Sequence, residues 1–371
     1  MPKVTIAPDS FKGSLSAPEV AEALAIGIRS VVADCEIVAI PMADGGEGTA
    51  EVLIGALGAE RVEVSTVDPL GRPIRATYGV KGELAVMDIA SASGLTHLAE
   101  GELSAMDSST FGSGLMVADA LRRGCRRIII GLGGSATNDC GTGLLLALGW
   151  RFTDASHEVL RGCGGNLARI AAIDPSGAVA EMEGVEIVCL TDVKSPLVGP
   201  MGAARLFAPQ KGASPVEVEQ LEDGAHHFAS LVGEELAMLP RTGAAGGVGF
   251  GLRGLAGGRL IGGVEWLLDA VEFEARAEGS DLVVTGEGRV DGQTLLGKVP
   301  GGLFEVATRM GIPTVVVGGS VVMSSELASS GFAEIVAATP EGMPLEEAMR
   351  PEVARENLRL AGVAIGKKLL Q

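Results

Sequence analysis

Several stretches of this 371-residue chain bring carboxylates, hydroxyls, cations and glycines close enough together to do chemistry. The first, Pro8-Asp9-Ser10-Phe11-Lys12-Gly13-Ser14, sets a carboxylate, hydroxyls and an ammonium in one run ahead of a helix, the makings of an anion and substrate pocket. In Asp44-Gly45-Gly46-Glu47-Gly48-Thr49 the glycines permit close backbone approach, the helix starting at Thr49 offers N–H groups, and Asp44 points into the cleft; a tight strand-to-helix turn needing glycine is the other reading. Gly131-Leu132-Gly133-Gly134-Ser135-Ala136-Thr137-Asn138-Asp139 has the backbone amides and hydroxyls that cradle a phosphate chain. Thr191-Asp192-Val193-Lys194, with Arg205 and Lys211 downstream, puts a carboxylate near cations, so Asp192 is a base or a metal ligand, or else a helix cap or turn aspartate. Last, Glu287, Arg289, Asp291 and Lys298 crowd one loop that almost spells a Walker A motif from Gly292 to Lys298. Val299 stands where that motif needs a hydroxyl for magnesium, so this is not a standard P-loop.

Phosphoryl transfer needs this inventory: donors around the phosphates, carboxylates for Mg²⁺, and a base for the attacking hydroxyl. Other chemistries lack their parts. Of four histidines, His226 and His227 are adjacent and the others isolated, with no HExxH spacing. Gly131, Gly133 and Ala136 satisfy the loose dinucleotide pattern, but no acid follows where a ribose would be read, which weakens an oxidoreductase reading. A non-catalytic sensor of organic acids stays open, disfavoured by the abundance of phosphate-suited loops.

A formal charge of −18 argues against nucleic acid or an anionic membrane as partner, because both require a basic patch. Cys35, Cys125, Cys140, Cys163 and Cys189 form an odd set without a CxxC pair, which suits the reduced cytoplasm rather than a disulfide framework. The N-terminus reads as a first strand rather than a signal peptide, and no apolar stretch approaches the ~20 residues of a membrane span. A homo-oligomer is left open.

The elements that must position these loops follow from periodicity. Unbroken apolar runs at Val4–Ala7, Ile37–Ile40, Leu84–Ile89, Arg127–Gly131, Glu186–Thr191, Asp281–Thr285 and Pro313–Gly318 alternate with helical segments, predicting an α/β fold with a doubly wound parallel sheet. Ser16-Ala17-Pro18-Glu19 is a capping box opening the first helix, and the last helix is expected over Leu345–Leu370. The length predicts two domains with a cleft between them.

Ala7 to Ser14, Asp44 to Thr49, Gly133 to Asp139, Pro209 to Ala213, Gly243 to Gly247, Thr285 to Gly288 and Gln293 to Lys298 together resemble the bacterial type I glycerate kinases, collinearly over nearly the whole chain. The resemblance implies two α/β domains, one flavodoxin-like and built from both chain ends (expected at 1–75 plus 286–371), the other from 76–285, with the active site between them. It implies ATP- and Mg²⁺-dependent phosphorylation of D-glycerate, at the 2-hydroxyl for this branch; a glycerate 3-kinase or a kinase of a related hydroxy acid is the alternative. Asp192 is then the expected base with Asp44 as runner-up. Ser10, Lys12 and Arg72 are expected on the substrate, the two cations meeting its carboxylate. Gly133, Gly134, Ser135 and Asn138 are expected to cradle the nucleotide phosphates, with Lys298 countering charge and Glu287 and Asp192 on Mg²⁺. Departures from the family pattern are Cys140 for glycine, Phe111 for tyrosine and Ser195 for asparagine; Cys140 is expected to be a small buried thiol.

Overall fold

Valine- and isoleucine-rich runs that do not alternate suit strands covered on both faces, and every one of those predicted above is a strand in the computed structural model, which describes residues 1–46, 48–295 and 297–370. Glu47 of the Asp44–Thr49 turn and Leu296 of the Gly292–Lys298 run lie outside the described residues. In chain order the strands are β1 (Lys3–Ile6), β2 (Glu36–Ala39), β3 (Glu60–Val67), β4 (Pro73–Lys81), β5 (Leu84–Asp88), β6 (Arg127–Gly131) and β7 (Arg151–Thr153). They continue with β8 (Ala172–Asp174), β9 (Glu186–Leu190), β10 (Arg259–Ile261), β11 (Leu282–Val290), β12 (Thr314–Val321) and β13 (Glu334–Ala337).

The chain divides into two units, Met1–Asp44 with Val264–Gln371, and Gly45–Gly263. The breaks fall upstream of the positions expected near 75 and 285. For the first break the reason is a hairpin whose strands alternate in burial: β3 and β4 pair antiparallel and join β5 in the middle unit's sheet.

In the unit built from both chain ends, five strands lie in the order β13-β12-β11-β1-β2, all parallel. Numbered within the unit, that order is the 2-1-3-4-5 of a flavodoxin-like sheet, with its switch point between β1 and β11. Successive residues of β12 face opposite sides. Val315 and Val317 pack with Val4, Ile6 and the helices Ala17–Arg29 and Pro351–Leu369, whereas Val316 packs with Val290 and Leu327. The first helix opens as predicted, with the Ser16 amide and hydroxyl donating to Glu19 Oε2 at 2.9 and 2.8 Å. The last helix is not continuous: it breaks into Leu345–Ala348 and Pro351–Leu369, because Pro351 carries no N–H and Arg350 before it is extended, with ψ 129°. Its second part crosses Ala17–Arg29 at a glycine pair so close that a Cβ on Gly27 would lie 2.0 Å from the Arg359 carbonyl oxygen.

The middle unit's sheet runs β10-β9-β6-β5-β4-β3, parallel from β10 to β5 and antiparallel beyond. Ile128 and Ile130 of β6 and Ile187 and Cys189 of β9 enter its main core with Phe152, Phe228 and Phe250. β7 and β8 form a separate small hairpin.

Candidate active site

Residues that follow the strands of a parallel sheet gather at its carboxyl edge whatever their separation in sequence. At the switch point of the first unit they enclose a cavity of about 540 Å³, lined by Asp9, Ser10, Lys12, Asp44, Glu287 and Lys298, with Phe11, Met343, Met349 and Leu358 on an apolar wall. Five of these six polar residues, Ser10, Lys12, Asp44, Glu287 and Lys298, are among those expected from sequence to act. Lys12 Nζ sits 3.4 Å from Asp44 Oδ2 and is largely exposed; the Asp44 carboxylate is the chief influence raising the Lys12 pKa. Glu287 is buried and doubly held, with Lys298 Nζ donating to Oε2 at 2.9 Å and Thr294 Oγ1 to Oε1 at 2.7 Å. β11 extends five residues past Thr285, still paired with β12 as far as Val290, so Glu287 and Arg289 stand on strand rather than in a loop. Beyond it Arg289 Nε lies 3.2 Å from Asp291 Oδ2.

The sixth polar residue, Asp9, was part of the first sequence motif but was assigned no role. It is buried, its Oδ1 accepts the Ser10 amide at 2.7 Å, and its carboxyl is pushed up to about 7, first by burial and then by the negative Asp44, against the pull of Lys12. A carboxyl that titrates near neutrality in a pocket is suited to moving protons.

In the second unit, β6 ends at Gly131 and the chain turns through Gly133 and Gly134, the latter at φ 75°, a left-handed conformation that glycine adopts without strain. Gly133 donates its amide to the Gly45 carbonyl, and the Gly134 carbonyl accepts the Leu95 amide. Ser135, Thr137, Asn138 and Asp139 are buried. Asp139 anchors the loop: its oxygens accept from the Thr110 amide and hydroxyl at 2.8 Å each and from the Gly141 and Gly143 amides at 3.0 and 3.1 Å. Cys140 follows at φ 52°, fully buried, with burial pushing its thiol well up; a glycine would take that backbone conformation freely. Beneath the loop lies a residue from the Pro209–Ala213 motif for which sequence reading gave no role. Lys211 is buried, and its Nζ donates to the Thr137 carbonyl at 2.6 Å and to Ser135 Oγ at 3.2 Å.

Two other expected residues have partners within their own unit. Asp192, just past β9, accepts the Gly263 amide on Oδ1 at 3.0 Å, so at least one oxygen serves the local backbone. Arg72 closes the turn between β3 and β4, where its Nε donates to Asp68 at 2.5 Å, Nη1 to Glu102 at 2.6 Å and Nη2 to the His97 carbonyl at 3.2 Å. The amides at the head of helix Thr49–Leu57 are already engaged, since Asp88 accepts those of Gly48 and Ala50 at 2.9 and 3.0 Å. Gly45 is needed for packing: a Cβ on it would lie 2.7 Å from the Leu190 carbonyl carbon.

A sequence profile of the glycerate kinase family matches residues 4–370. Relatives include a glycerate kinase of Halalkalibacterium halodurans, 40% identical over 94% of both chains. Another is the glycerate 2-kinase of Escherichia coli K12, 40% identical over 86% of this chain and 85% of that one. A crystal structure from Salmonella typhimurium LT2, assigned as a glycerate kinase 2, superposes with a TM-score of 0.85 at 37% identity, covering 100% of this chain and 98% of that chain.

Proposed function

Because the chain belongs to the glycerate kinase family, we propose that it transfers the terminal phosphoryl group of ATP to the 2-hydroxyl of D-glycerate, giving 2-phospho-D-glycerate and ADP. The observation that carries this reading is the switch-point pocket, where a buried acid titrating near 7 stands beside a second carboxylate and an exposed ammonium.

Lys12 takes the glycerate carboxylate, with Ser10 offering its hydroxyl beside it. Asp9, its proton affinity raised by burial and by Asp44, receives the proton of the attacking hydroxyl. Asp192 is the competing base, and the two are separated by comparing Asp9→Asn with Asp192→Asn: the true base costs about 10² to 10⁴ in kcat when neutralised. Gly133, Gly134, Ser135 and Asn138 cradle the nucleotide phosphates, and Lys298 counters their charge.

Among the described residues no three carboxylates or histidines converge into a preformed metal cage. Mg²⁺ takes one or two carboxylates and keeps waters, and Glu287 and Asp192 would offer hard oxygen donors for it. When bound, the ion neutralises charge developing on the phosphates. A cytoplasmic setting belongs to the same proposal and is supported by five buried cysteines, all free thiols. Among the described residues no helix is long and apolar enough to cross a membrane.

The test is ADP release from Mg-ATP and D-glycerate, followed by phosphorus NMR of the product. A phosphate split by a single carbon-bound proton places it on the 2-position as proposed. Splitting by two protons makes the enzyme a 3-kinase, and absence of turnover refutes the proposal.

A further inference from the structure

A buried ammonium ordinarily has a counter-ion or loses its proton. Lys211 has only neutral partners: among the described residues it forms no ion pair, and its two acceptors are a backbone carbonyl and a hydroxyl. The nearby carboxylate, Asp139, spends its oxygens on Thr110 and on the amides of its own loop. Two further groups in the loop are left incomplete. Ser135 Oγ accepts from Lys211 and, at 3.4 Å, from Thr137 Oγ1, and among the described residues its own hydrogen finds no acceptor. Asn138 is 1% exposed, and its Oδ1 has no hydrogen-bond partner among the described residues. An uncompensated buried charge, a committed hydroxyl with a proton to give and a buried amide side chain with an orphaned oxygen converge on one glycine-rich loop. The ammonium and the hydroxyl call for an anionic partner, whereas the Asn138 oxygen, an acceptor, calls for a donor.

We propose that Lys211 is a positioning residue for nucleotide phosphate: its ammonium fixes Ser135 Oγ as an acceptor, so the hydroxyl must present its proton to a phosphate oxygen, and it lays positive charge under the Gly133–Asn138 loop. The inference rests on the reading of that loop as the phosphate cradle. Burial lowers the Lys211 pKa to about 8, opposed by the negative Asp139. A phosphate bound above it raises that value again, so Mg-ATP binding near pH 8 draws a proton from solution.

The experiment is titration calorimetry of the full-length protein with Mg-ATP at pH 8 in two buffers of different ionisation enthalpy, with melting temperature as a control on folding. Lys211→Gln keeps a donor and removes the charge; Lys211→Met serves if Lys211→Gln does not fold. Wild type takes up a fraction of a proton on binding. Lys211→Gln takes up none and binds Mg-ATP about 10- to 100-fold more weakly, the worth of a charge-assisted hydrogen bond, while D-glycerate KM is unchanged. Unchanged affinity and proton uptake in a folded variant overturn the proposal, as does a loss confined to D-glycerate. Ser135→Ala separates the two levels of inference. If it weakens Mg-ATP binding and Lys211→Gln does not, only the role of Lys211 fails; if neither does, the loop is not the cradle.

Discussion

Replacing Asp9 with asparagine perturbs the pocket at its most polarised point. Burial and the Asp44 charge, with a smaller push from Glu287, raise the Asp9 carboxyl from 3.8 to about 7, against Lys12 and the Ser10 amide. A carboxyl with a raised folded pKa holds its proton in the folded state where the unfolded chain has lost it. The stability it contributes is therefore complete below about pH 3.8 and disappears as pH rises through 7. Between pH 5 and pH 8.5 the folded protein travels about two units through that window, which at about 1.4 kcal/mol per unit is about 3 kcal/mol. For a unit of this size each kcal/mol moves the melting temperature by about 2–4 °C, so the loss amounts to about 6–12 °C. Asparagine cannot ionise and escapes it. Melting wild type and Asp9→Asn at both pH values isolates the effect from other titrating groups, because only the difference between the two proteins is read. The variant should gain on wild type by that amount as pH rises from 5 to 8.5, even as its kcat falls by about 10² to 10⁴. A stability difference that is the same at both pH values would refute the burial argument, and a retained kcat would dismiss Asp9 as the base.

Lys12→Met should raise the D-glycerate KM about 10- to 100-fold with kcat within a few-fold, since it removes one exposed charge-assisted contact made equally in ground and transition states; an unchanged KM rejects the carboxylate role. Arg72→Met should lower the melting temperature by a few degrees and leave both substrate KM values alone, because its donors are committed to Asp68, Glu102 and His97. A raised D-glycerate KM with unchanged melting would instead return Arg72 to the substrate. Gly27→Ala should cost about 1–3 kcal/mol in urea unfolding, as overpacking does, because its Cβ would meet the Arg359 carbonyl oxygen at 2.0 Å and force two helices apart. A variant as stable as wild type would mean the pair does not need its close approach.

What the sequence conveyed depended on how local the responsible physics is. Arg127–Gly131 was legible to the residue because a strand buried on both faces needs an unbroken apolar run. The hairpin of β3 and β4 alternates instead, and it lies on the middle unit's side of a break that the resemblance put near 75. The placement of β1 beside β11 is a pairing between chain ends that no local pattern encodes; the family resemblance implied it. The site behaved likewise. Ser10, Lys12, Asp44, Glu287 and Lys298, which line one pocket, stood out in the sequence because they lie at or beyond the ends of recognisable strands. Asp9 and Lys211 were within quoted motifs, yet their properties come from burial, and burial is decided by residues far away in sequence. Arg72 is the converse: a cation on an acidic chain invites a substrate role, but its committed partners only become visible in the folded turn.

In a chain of formal charge −18, the pocket of the first unit holds its cations already paired. Each cation there already has a carboxylate: Lys12 with Asp44 at 3.4 Å, Lys298 with Glu287 at 2.9 Å and Arg289 with Asp291 at 3.2 Å. An entering anion must therefore compete with carboxylates, and the pairs do not yield equally. Lys298–Glu287 is short, largely buried and braced by Thr294, whereas Lys12 is 66% exposed at a longer distance from Asp44. Exposed pairs contribute little and part readily, so on the proposed reading Lys12 is the cation a substrate carboxylate would engage first. On the proposed reading, its departure would remove from Asp9 the charge that restrains its proton affinity. If Asp9 is the base as proposed, it becomes more basic when a substrate carboxylate takes Lys12, which would tie proton removal to the arrival of an acid rather than of water.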